Sequence, residues 1–325
     1  MKRVRRLLLA SLGFLIVAAI VLPLVVPIPP PGDTRPVSEL AYPDSEFVDV
    51  GGLQVHLQRA GAGGLPLLLL HGFGASTFSW REVLTPLASE RLVVAFDRPA
   101  FGLTERPMPP FPGGISPYSP EAQVDLTIGL LDAVGMDRAV LIGNSAGGTI
   151  ALLTALEHPE RVAALVLVDP AVYTGGGAPA WVRPLLKLPQ VRRLGPLFVR
   201  SIRERGGDLI ATAWHDPSRI TPEIVDGYTR PLQAENWDRA LWELTLASAE
   251  SSLAARLGEL DLPVLVITGD DDRIVPTEES IRLAGEIAGA HLVVIPSCGH
   301  VPQEECPAAW LMAVESFLAD LPPEP

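Results

Sequence analysis

Positive charge is scarce in this chain, and charged residues of either sign are few. Only 19% of its 325 residues are charged, whereas 48% are hydrophobic. Such a composition can bury a substantial core, so it excludes a largely disordered protein. The 25 Lys and Arg residues are outnumbered by 38 Asp and Glu, which gives a net charge of -13. Nucleic-acid binding needs a basic face, and this balance therefore argues against nucleic acid as a partner.

Cysteine is almost absent, with only two residues in the chain, Cys298 and Cys306. No cysteine lies near the N-terminus, which excludes a lipid-modified cysteine there. A disulfide between the two is permitted if the domain lies outside the cytoplasm. Their spacing in sequence does not show that the Cα atoms come close enough for one. We expect two unpaired thiols, with Cys298 buried.

No charge occurs between residues 7 and 32, directly after the basic start MKRVRR. Residues 7–26 are almost all apolar, and about twenty such residues are what a helix needs to cross the hydrocarbon core. We predict a transmembrane anchor over residues 1–26, with a cytoplasmic N-terminus because positive charge precedes the span. The rest of the chain would then lie outside the cytoplasm. The alternative is a signal peptide that is cleaved, which would leave a secreted protein.

Beyond the anchor, strand-like apolar runs alternate with segments of helical spacing. EFVDV and LQVHLQRA, separated by two glycines, predict a β-hairpin. Continuous apolar runs such as LPLLLL at 65–70 predict strands that are buried on both faces. Helical spacing occurs over 79–90, and over 119–135, where Ser119 supplies an N-cap. The pattern predicts an α/β fold with a mostly parallel sheet and helices on both faces.

Two segments interrupt this alternation and define the predicted domain organisation. Residues 27–39 are rich in proline and predict a semi-rigid linker that spans roughly 30 Å when extended. The folded domain should occupy residues 40–325. Within it, residues 172–250 are rich in Pro, Arg and Trp and lack any strand pattern. They predict a helical insertion, a cap, over the C-terminal edge of the sheet.

The segment LIGNSAGG places a serine between an apolar strand and a helix. Its residues 143–147 fit G-x-S-x-G, the pattern of a nucleophile elbow. The turn from strand to helix is so sharp that side chains at Gly143 and Gly147 would clash. Ser145 stands at the carboxyl end of a strand and at the N-terminus of a helix, where backbone N–H groups favour a developing negative charge. We therefore predict Ser145 as a nucleophile.

A serine nucleophile needs a base and a carboxylate that orients the base. Of the six histidines, only His300 combines a late loop position with the end of a strand. The segment ITGDDDRIVP offers Asp270, Asp271 and Asp272 as the carboxylate. Asp169, at the end of LVLVD, is a further candidate. These residues by themselves leave the choice of carboxylate open.

Five motifs follow one another in an order that is typical of a single superfamily. They are LLLLHGFG, FDRPAFGLT, GNSAGG, GDDDRIVP and GHVPQEECP. On these motifs, the chain from about residue 46 to residue 320 resembles the α/β-hydrolase superfamily. The resemblance implies an α/β-hydrolase fold in which the cap is inserted at about 172–250.

The resemblance also implies a role for each site residue. Ser145 would be the nucleophile, His300 the base and Asp272 the orienting carboxylate. The backbone N–H groups of Phe73 and Ala146 would form the oxyanion hole. Neither a metal ion nor an organic cofactor is needed for this chemistry. Relatives that open epoxides or remove halides carry aspartate at the nucleophile position, so those reactions are disfavoured.

Several residues near these motifs are interpreted as structural. Ala100 stands where the family commonly has glycine, and Thr104 where it commonly has serine; neither carries chemistry directly. His71, beside the oxyanion loop, is interpreted as a hydrogen-bonding residue of that loop. Asp97 and Arg98 are expected to tie loops together.

The main functional prediction is a serine hydrolase that cleaves carboxylic esters with apolar acyl groups through an acyl-enzyme. The substrate would be a small-molecule or lipid-like ester, and the membrane would be a partner through the N-terminal helix. One alternative is a C–C bond hydrolase of meta-cleavage type, whose anionic substrate would require a basic residue inside the cap. Another is a non-enzymatic binding module, which is disfavoured because all three triad residues are present.

The cap contains a stretch, residues 181–203, with six basic side chains and no acid. One interpretation is a cap helix whose arginines pair with acids of the body. The other is a face that rests on anionic headgroups beside the anchor, through residues such as Arg192 and Arg193. The tryptophans of the cap are expected to line an acyl pocket or, for at least two of them, to form the core of the cap. They are Trp181, Trp214, Trp237 and Trp242.

Overall fold

An eight-stranded sheet organises the computed structural model, which describes residues 2–173, 181–204, 206–248 and 253–322. The strand order is β1-β2-β4-β3-β5-β6-β7-β8. The predicted hairpin β1–β2 lies at one edge, β2 pairs antiparallel with β4, and the pairs from β4 to β8 are parallel. The strands are β1 (Glu46–Val50), β2 (Leu53–Ala60), β3 (Leu67–Leu70), β4 (Val93–Phe96), β5 (Ala139–Asn144), β6 (Val162–Val168), β7 (Val264–Gly269) and β8 (His291–Ile295).

Helices precede the sheet, connect its strands and build the cap. They are α1 (Lys2–Val25), α2 (Val37–Leu40), α3 (Leu84–Leu87), α4 (Pro120–Ala133), α5 (Ala146–Glu157), α6 (Arg183–Leu186), α7 (Pro189–Glu204), α8 (Gly206–Ala213), α9 (Pro222–Thr229), α10 (Trp237–Ala247), α11 (Thr277–Glu286), α12 (Pro302–Glu305) and α13 (Pro307–Ala319). Short 3-10 helices lie at Thr77–Trp80, Pro112–Gly114, Pro159–Arg161, Pro217–Arg219, Arg230–Gln233 and Leu253–Glu259.

The central strands are buried on both faces, as their continuous apolar runs predict. In β3, Leu68 and Leu70 pack in a cluster with α4, α5 and α11. Leu67 and Leu69 point the other way and pack with Trp80 and the residues of α3 and α13. Successive side chains of a strand alternate between faces, so a sheet that is covered on both sides needs apolar residues at every position. The α/β prediction is confirmed.

The helix predicted over 79–90 is wrong in its extent. The structure has a 3-10 helix at Thr77–Trp80 and a single turn, α3, at Leu84–Leu87. Pro86 would lie inside a longer helix, where it removes a hydrogen bond and clashes with the preceding turn. The apolar side chains still reach the core, because Trp80, Val83 and Leu87 are fully buried. The helix predicted over 119–135 occurs as α4, where Ser119 accepts the N–H of the third helical residue at 3.2 Å.

The chain between β6 and β7 folds into helices α6 to α10 and lies over the site, as the insertion prediction requires. Its arginines do pair with acids, but these acids belong to the cap itself rather than to the body. Arg192 pairs with Glu243, and Arg200 with Asp238. Both acids lie on α10, which packs along α7, so the two helices neutralise each other. Trp237 and Trp242 are buried in the core of the cap, whereas Trp181 is 76% exposed.

The proline-rich linker does not act as a free spacer. It lies along the cap, where Arg200 donates to the carbonyl oxygen of Pro29 at 2.7 Å and Arg203 pairs with Asp33. The N–H of Arg35 donates to the carbonyl oxygen of Gln233 at 2.7 Å. These partners are offered by the cap, so the expectation of a linker that holds the domain away from α1 is wrong.

Cys298 and Cys306 form a disulfide, so the expectation of two unpaired thiols is wrong. Their Cα atoms lie 6.3 Å apart, within the range that a disulfide requires. The turn α12 folds the chain back between them, and Glu305 Oε2 accepts the N–H of Gly299 at 2.8 Å across this loop. Cys298 is buried, as expected. A loop closed by a side-chain contact brings the two sulfurs together, which their spacing alone does not reveal.

Candidate active site

Ser145 lies at the turn between β5 and α5. Its backbone conformation, with φ 52° and ψ -120°, is one that residues other than glycine rarely adopt. Its N–H donates to the carbonyl oxygen of Val168 at 2.8 Å. A Cβ at Gly147 would lie 2.1 Å from the carbonyl oxygen of Leu70, and one at Gly143 would lie 2.6 Å from that of Gly147. The steric reason predicted for both glycines is confirmed. The turn holds the serine at the carboxyl edge of the sheet.

His300 and Asp272 form a buried hydrogen-bonded pair, with 2.7 Å between Nδ1 and Oδ2. The other carboxylate oxygen of Asp272 accepts the N–H groups of Ile274 at 2.8 Å and Val275 at 3.0 Å. These donors orient the carboxylate. When Nδ1–H donates to Asp272, the neutral imidazole carries its lone pair on Nε2, which is the atom a general base uses. His300 and Ser145 line the same cavity.

The structure separates three of the four candidate carboxylates by their partners. Asp272 contacts His300. Asp271 lies 2.8 Å from Nδ1 of a different histidine, His215 of the cap. Asp270 accepts a backbone N–H from the loop that follows β8. The geometry therefore favours Asp272, the residue that the family resemblance implied.

Asp169, the fourth candidate, is fully buried behind this pair. Its Oδ1 accepts the hydroxyl of Thr268 at 2.7 Å and the N–H of Gly269 at 3.2 Å. A carboxylate oxygen of Asp169, a carboxylate oxygen of Asp272 and a ring nitrogen of His300 all lie within 4.8 Å of one another. Burial, together with the charge of Asp272, raises the pKa of Asp169 well above its usual range. Its Oδ2 has no hydrogen-bond partner among the described residues.

Two clusters among the described residues have the spacing of metal ligands. One consists of Asp169, Asp272 and His300, and the other of Cys298, Glu305 and Cys306. In the first, Asp272 is already hydrogen bonded to His300; in the second, the two sulfurs are bonded to each other. Both donor sets are thus engaged. The chemistry of the first cluster is that of proton transfer between side chains.

The predicted oxyanion hole would be built from two loops that meet at Ser145. Phe73 follows β3 and lines the cavity with Ser145, and Ala146 is the first residue of α5. A Cβ at Gly72 would lie 3.2 Å from the Cβ of Ser145, so the loop that carries Phe73 packs closely against the nucleophile. The role of the N–H groups of Phe73 and Ala146 stays a prediction.

A buried polar network ties the loops around the site, as expected from sequence. Nδ1 of His71 donates to a carbonyl oxygen of its own loop at 2.7 Å, and Nε2 accepts the N–H of Arg98 at 3.0 Å. Burial lowers the pKa of His71 to about 3, so the ring stays neutral. Asp97 accepts the N–H groups of Thr77 and Leu103, both at 2.6 Å. The structural interpretation of these residues is confirmed.

The two departures from the family pattern have different consequences. Ala100 has a φ of 77°, in the left-handed region, which explains why glycine is common at this position. Thr104 keeps the hydrogen bonds that a serine hydroxyl would make. It donates to the carbonyl oxygen of Asp97 at 2.6 Å and accepts the N–H of His56 at 3.0 Å.

A cavity of about 270 Å³ lies between body and cap and is lined by Ser145 and His300. Most of its lining is apolar. The body contributes Phe101, and the cap contributes Trp214, Trp237 and other apolar side chains. Trp237 also packs in the core of the cap, whereas the role of these tryptophans in an acyl pocket stays a prediction.

Arg106 is a cavity-lining residue that the sequence reasoning missed. Its guanidinium donates to the carbonyl oxygens of Thr104 and Gly102, while Nε has no partner among the described residues. Burial lowers the pKa of Arg106 to about 10, so the side chain remains charged at neutral pH. It stands two residues after the loop motif FDRPAFGLT, and nothing in that motif indicates that Arg106 turns inward. None of the described basic residues of the cap lines the cavity.

Comparison with known families decides the class of this protein. A family model described as the alpha/beta hydrolase fold matches residues 66–307, well over half of the chain. The chain belongs to the α/β-hydrolase family. The match covers every residue predicted for the triad and the oxyanion hole. The predictions of an α/β-hydrolase fold and of an enzyme are confirmed.

This hydrolase is similar in sequence to 2-hydroxymuconate semialdehyde hydrolase of Pseudomonas sp. (strain CF600), at 36% identity over 83% of this chain and 92% of the relative. It is similar in structure to a thermophilic esterase from Thermogutta terrifontis, with a TM-score of 0.67, 26% identity and coverage of 85% and 98%. A membrane phospholipase A also matches, with a TM-score of 0.67, 25% identity and coverage of 99% of both chains. The first relative supports the C–C hydrolase alternative better than it supports the ester prediction.

Proposed function

We propose that this hydrolase cleaves carboxylic esters that carry an apolar acyl group. The observation that carries the proposal is the largely apolar lining of the cavity at Ser145. Leu209, Ile210 and Leu241 of the cap face the cavity together with the two tryptophans. An acyl chain bound there would gain about 25 cal/mol for each Å² of apolar surface removed from water. The esterase among the similar structures also supports ester cleavage as the reaction.

The proposed reaction uses the geometry of the triad. Ser145 Oγ attacks the ester carbonyl while Nε2 of His300 takes its proton, and Asp272 holds the ring and stabilises the charge. The N–H groups of Phe73 and Ala146 stabilise the oxyanion. His300 then gives the proton to the departing alcohol, which leaves an acyl-enzyme. Water, activated by His300, attacks this intermediate and releases the acid, so that the free Ser145 hydroxyl is restored.

The second candidate function is hydrolysis of a C–C bond in a meta-cleavage dienoate. Two observations favour it: the sequence similarity to 2-hydroxymuconate semialdehyde hydrolase and the buried charge of Arg106 beside the cavity. The carboxylate of such a substrate would need a cation, and Arg106 Nε is unpaired among the described residues. Against it, Arg192 and Arg200 of the cap are paired with cap acids instead of lining the cavity.

The proposal includes attachment to the cell membrane through α1, with the catalytic domain outside the cytoplasm. An apolar window of 18 residues within Arg3–Val25 has a mean hydropathy of 2.8, and none of that window is buried in the protein. Basic residues precede it, which favours a cytoplasmic N-terminus. Similarity to the membrane phospholipase A extends over 99% of this chain, so it includes α1. The disulfide is compatible with an oxidising compartment. Cleavage of α1 as a signal peptide is the alternative.

A substrate panel tests the choice of reaction. Full-length protein in detergent would be assayed with p-nitrophenyl esters from acetate to palmitate and with a 2-hydroxy-6-oxodienoate. We expect kcat/KM to rise with acyl length and to exceed that for the dienoate. A dienoate kcat/KM above that of every ester would reject the ester proposal in favour of the second candidate. Alkaline extraction of membranes tests attachment: recovery of the full-length chain in the soluble fraction would reject the anchor.

A further inference from the structure

Four apolar side chains of the cap are exposed, three on the segment that leads into α7 and one on α7 itself. The exposed fractions are 76% for Trp181, 51% for Leu185, 45% for Leu188 and 67% for Phe198. We call these four residues the anchor-proximal face. An apolar surface left uncovered on a folded protein marks contact with another protein or with a membrane. The position of α1 indicates which of the two covers it.

Contacts between α7 and α1 indicate how deep the anchor-proximal face lies in the bilayer. Nε2 of Gln190 donates to the carbonyl oxygen of Ile20 at 3.3 Å, and Arg193 donates to that of Val26 at 3.2 Å. With a rise of 1.5 Å per residue, Ile20 lies about 9 Å nearer the membrane centre than Val26. If residues 7–26 fill a hydrocarbon core of about 30 Å, Val26 marks its outer edge. Gln190 then reaches into the outer leaflet.

The N-terminal end of α7 and the turn before it are therefore level with the last turns of α1. Leu188 is two residues from Gln190, and α6 with Leu185 leads directly into α7. Phe198 lies further along α7, past Arg193, where the helix leaves the hydrocarbon edge. Aromatic side chains favour this interfacial level. Arg193 can keep its charge among the headgroups while its stem stays in apolar surroundings.

Two of the arginines are held within the cap, since Arg192 is paired with Glu243 and Arg200 with Asp238. Lys187 and Arg193 are exposed. The expectation that Arg192 and Arg193 together bind headgroups is replaced by a surface whose exposed members are mainly apolar. Burial of apolar surface depends little on lipid charge or salt, which separates the two ideas by experiment.

We propose that the anchor-proximal face is embedded in the outer leaflet of the bilayer beside α1. This inference rests on the membrane attachment in the proposed function.

Trp181 is a natural probe for this proposal. It is exposed, whereas the other tryptophans, Trp80, Trp214, Trp237, Trp242 and Trp310, are at most 7% exposed. Full-length protein would be reconstituted in phosphatidylcholine vesicles with and without phosphatidylglycerol, using lipids with brominated acyl chains. We expect the bromine atoms to quench Trp181 and aqueous iodide to leave it unquenched, equally in both lipid mixtures. Trp181→Phe should remove the quenching by brominated lipid.

A single exposed tryptophan on the body serves as the matched control. Met312 on α13 is 72% exposed, so Met312→Trp in the Trp181→Phe background should respond to iodide and not to brominated lipid. Leu185→Glu combined with Leu188→Glu should leave the protein bound through α1 but expose Trp181 to iodide. Vesicle-bound protein whose Trp181 is quenched by iodide and not by brominated lipid would overturn the embedded face alone. Protein that does not float with the vesicles would overturn both the anchor and the face.

Discussion

The body and the cap hold the residues around the cavity by different means. In the body, Ser145, Asp169 and Ala100 all have a positive φ, and the N–H groups of Ser145 and Asp169 donate to carbonyl oxygens of the neighbouring strands. In the cap, the walls of the cavity are carried by helices that pack through apolar clusters and through ion pairs between α7 and α10. Ser145 is therefore positioned by the edge of the sheet, whereas the cap side of the cavity is formed by helices. Side chains on these helices can vary without moving Ser145.

The largest effect is expected from a substitution in the body that removes the proposed nucleophile and leaves the cap unchanged. Ser145→Ala should lower kcat by about 10⁶, as removal of a nucleophile within a triad does. The thermal unfolding midpoint should not fall, because the change removes one hydroxyl and leaves both neighbouring glycines in place. Ester turnover and labelling by a fluorophosphonate measure the effect. Turnover near that of the unmodified enzyme would reject the assigned nucleophile.

The next effect compares two neighbouring carboxyl groups of the body. Asp272→Asn should lower kcat by about 10⁴, the loss seen when a triad histidine is held in the wrong tautomer. Asp169→Asn should cost far less, because the amide oxygen can still accept from the Thr268 hydroxyl and the N–H of Gly269, and the bond between Asp272 and His300 stays in place. The pH profile of kcat/KM for both variants distinguishes them. If Asp169→Asn were the more damaging change, the assignment of Asp272 would be wrong.

A smaller effect concerns Arg106, the body residue that shares the cavity with the cap. If a dienoate is turned over, Arg106→Met should lower its kcat/KM roughly 10–100-fold, since a hydrogen bond to a charged group contributes about 1.5–3 kcal/mol. Long-chain esters should lose little. Arg106→Lys, which keeps the charge, should retain part of the dienoate activity. Equal losses for both substrates would assign Arg106 to loop structure alone.

Within the cap, two arginines of α7 offer a matched comparison. Asp238 is only 1% exposed, so Arg200→Met leaves a buried carboxylate without its charged partner and should cost about 1–3 kcal/mol. Arg203 and Asp33 are 34% and 52% exposed, and Arg203→Met should cost at most about 1 kcal/mol. Denaturant unfolding in detergent measures both. Equal costs would show that burial of the acid does not decide the strength of these pairs.

The last comparison concerns the joint between body and cap. Glu304 of α12 is buried between Arg81 and Tyr228 of the cap, and burial raises its pKa to about 7 from 4.5. The folded state therefore favours the protonated acid. The stability that this preference supplies is present below pH 4.5 and is lost as pH rises towards 7.

Glu304→Gln removes this titration. The free energy of unfolding of the unmodified protein, relative to that of Glu304→Gln, should fall between pH 4.5 and 7 and then level off. Unfolding curves for the two proteins at matched pH values give this difference. A difference that stays constant across the range would show that Glu304 titrates normally.

Much of the fold and the sharp turn at Ser145 could be predicted from sequence, because both depend on local rules. Continuous apolar runs require strands covered on both faces, and β3 has that environment. The glycines on either side of Ser145 are required by clashes within one turn. His300 could be singled out because the other histidines do not combine a late loop with a strand end. The choice of Asp272 needed the family resemblance, since four carboxyl groups fit the sequence equally well.

Tertiary structure alone decided the contacts that join distant segments. Cys298 meets Cys306 because α12 folds the chain back, and Arg106 faces the cavity because its loop closes over the site. The arginines of α7 pair with α10 and the linker because these elements pack together. Periodicity and turn sterics act over a few residues, so they determine elements and elbows. Which buried charge meets which partner depends on the packing of whole helices, and no short stretch of sequence carries that information.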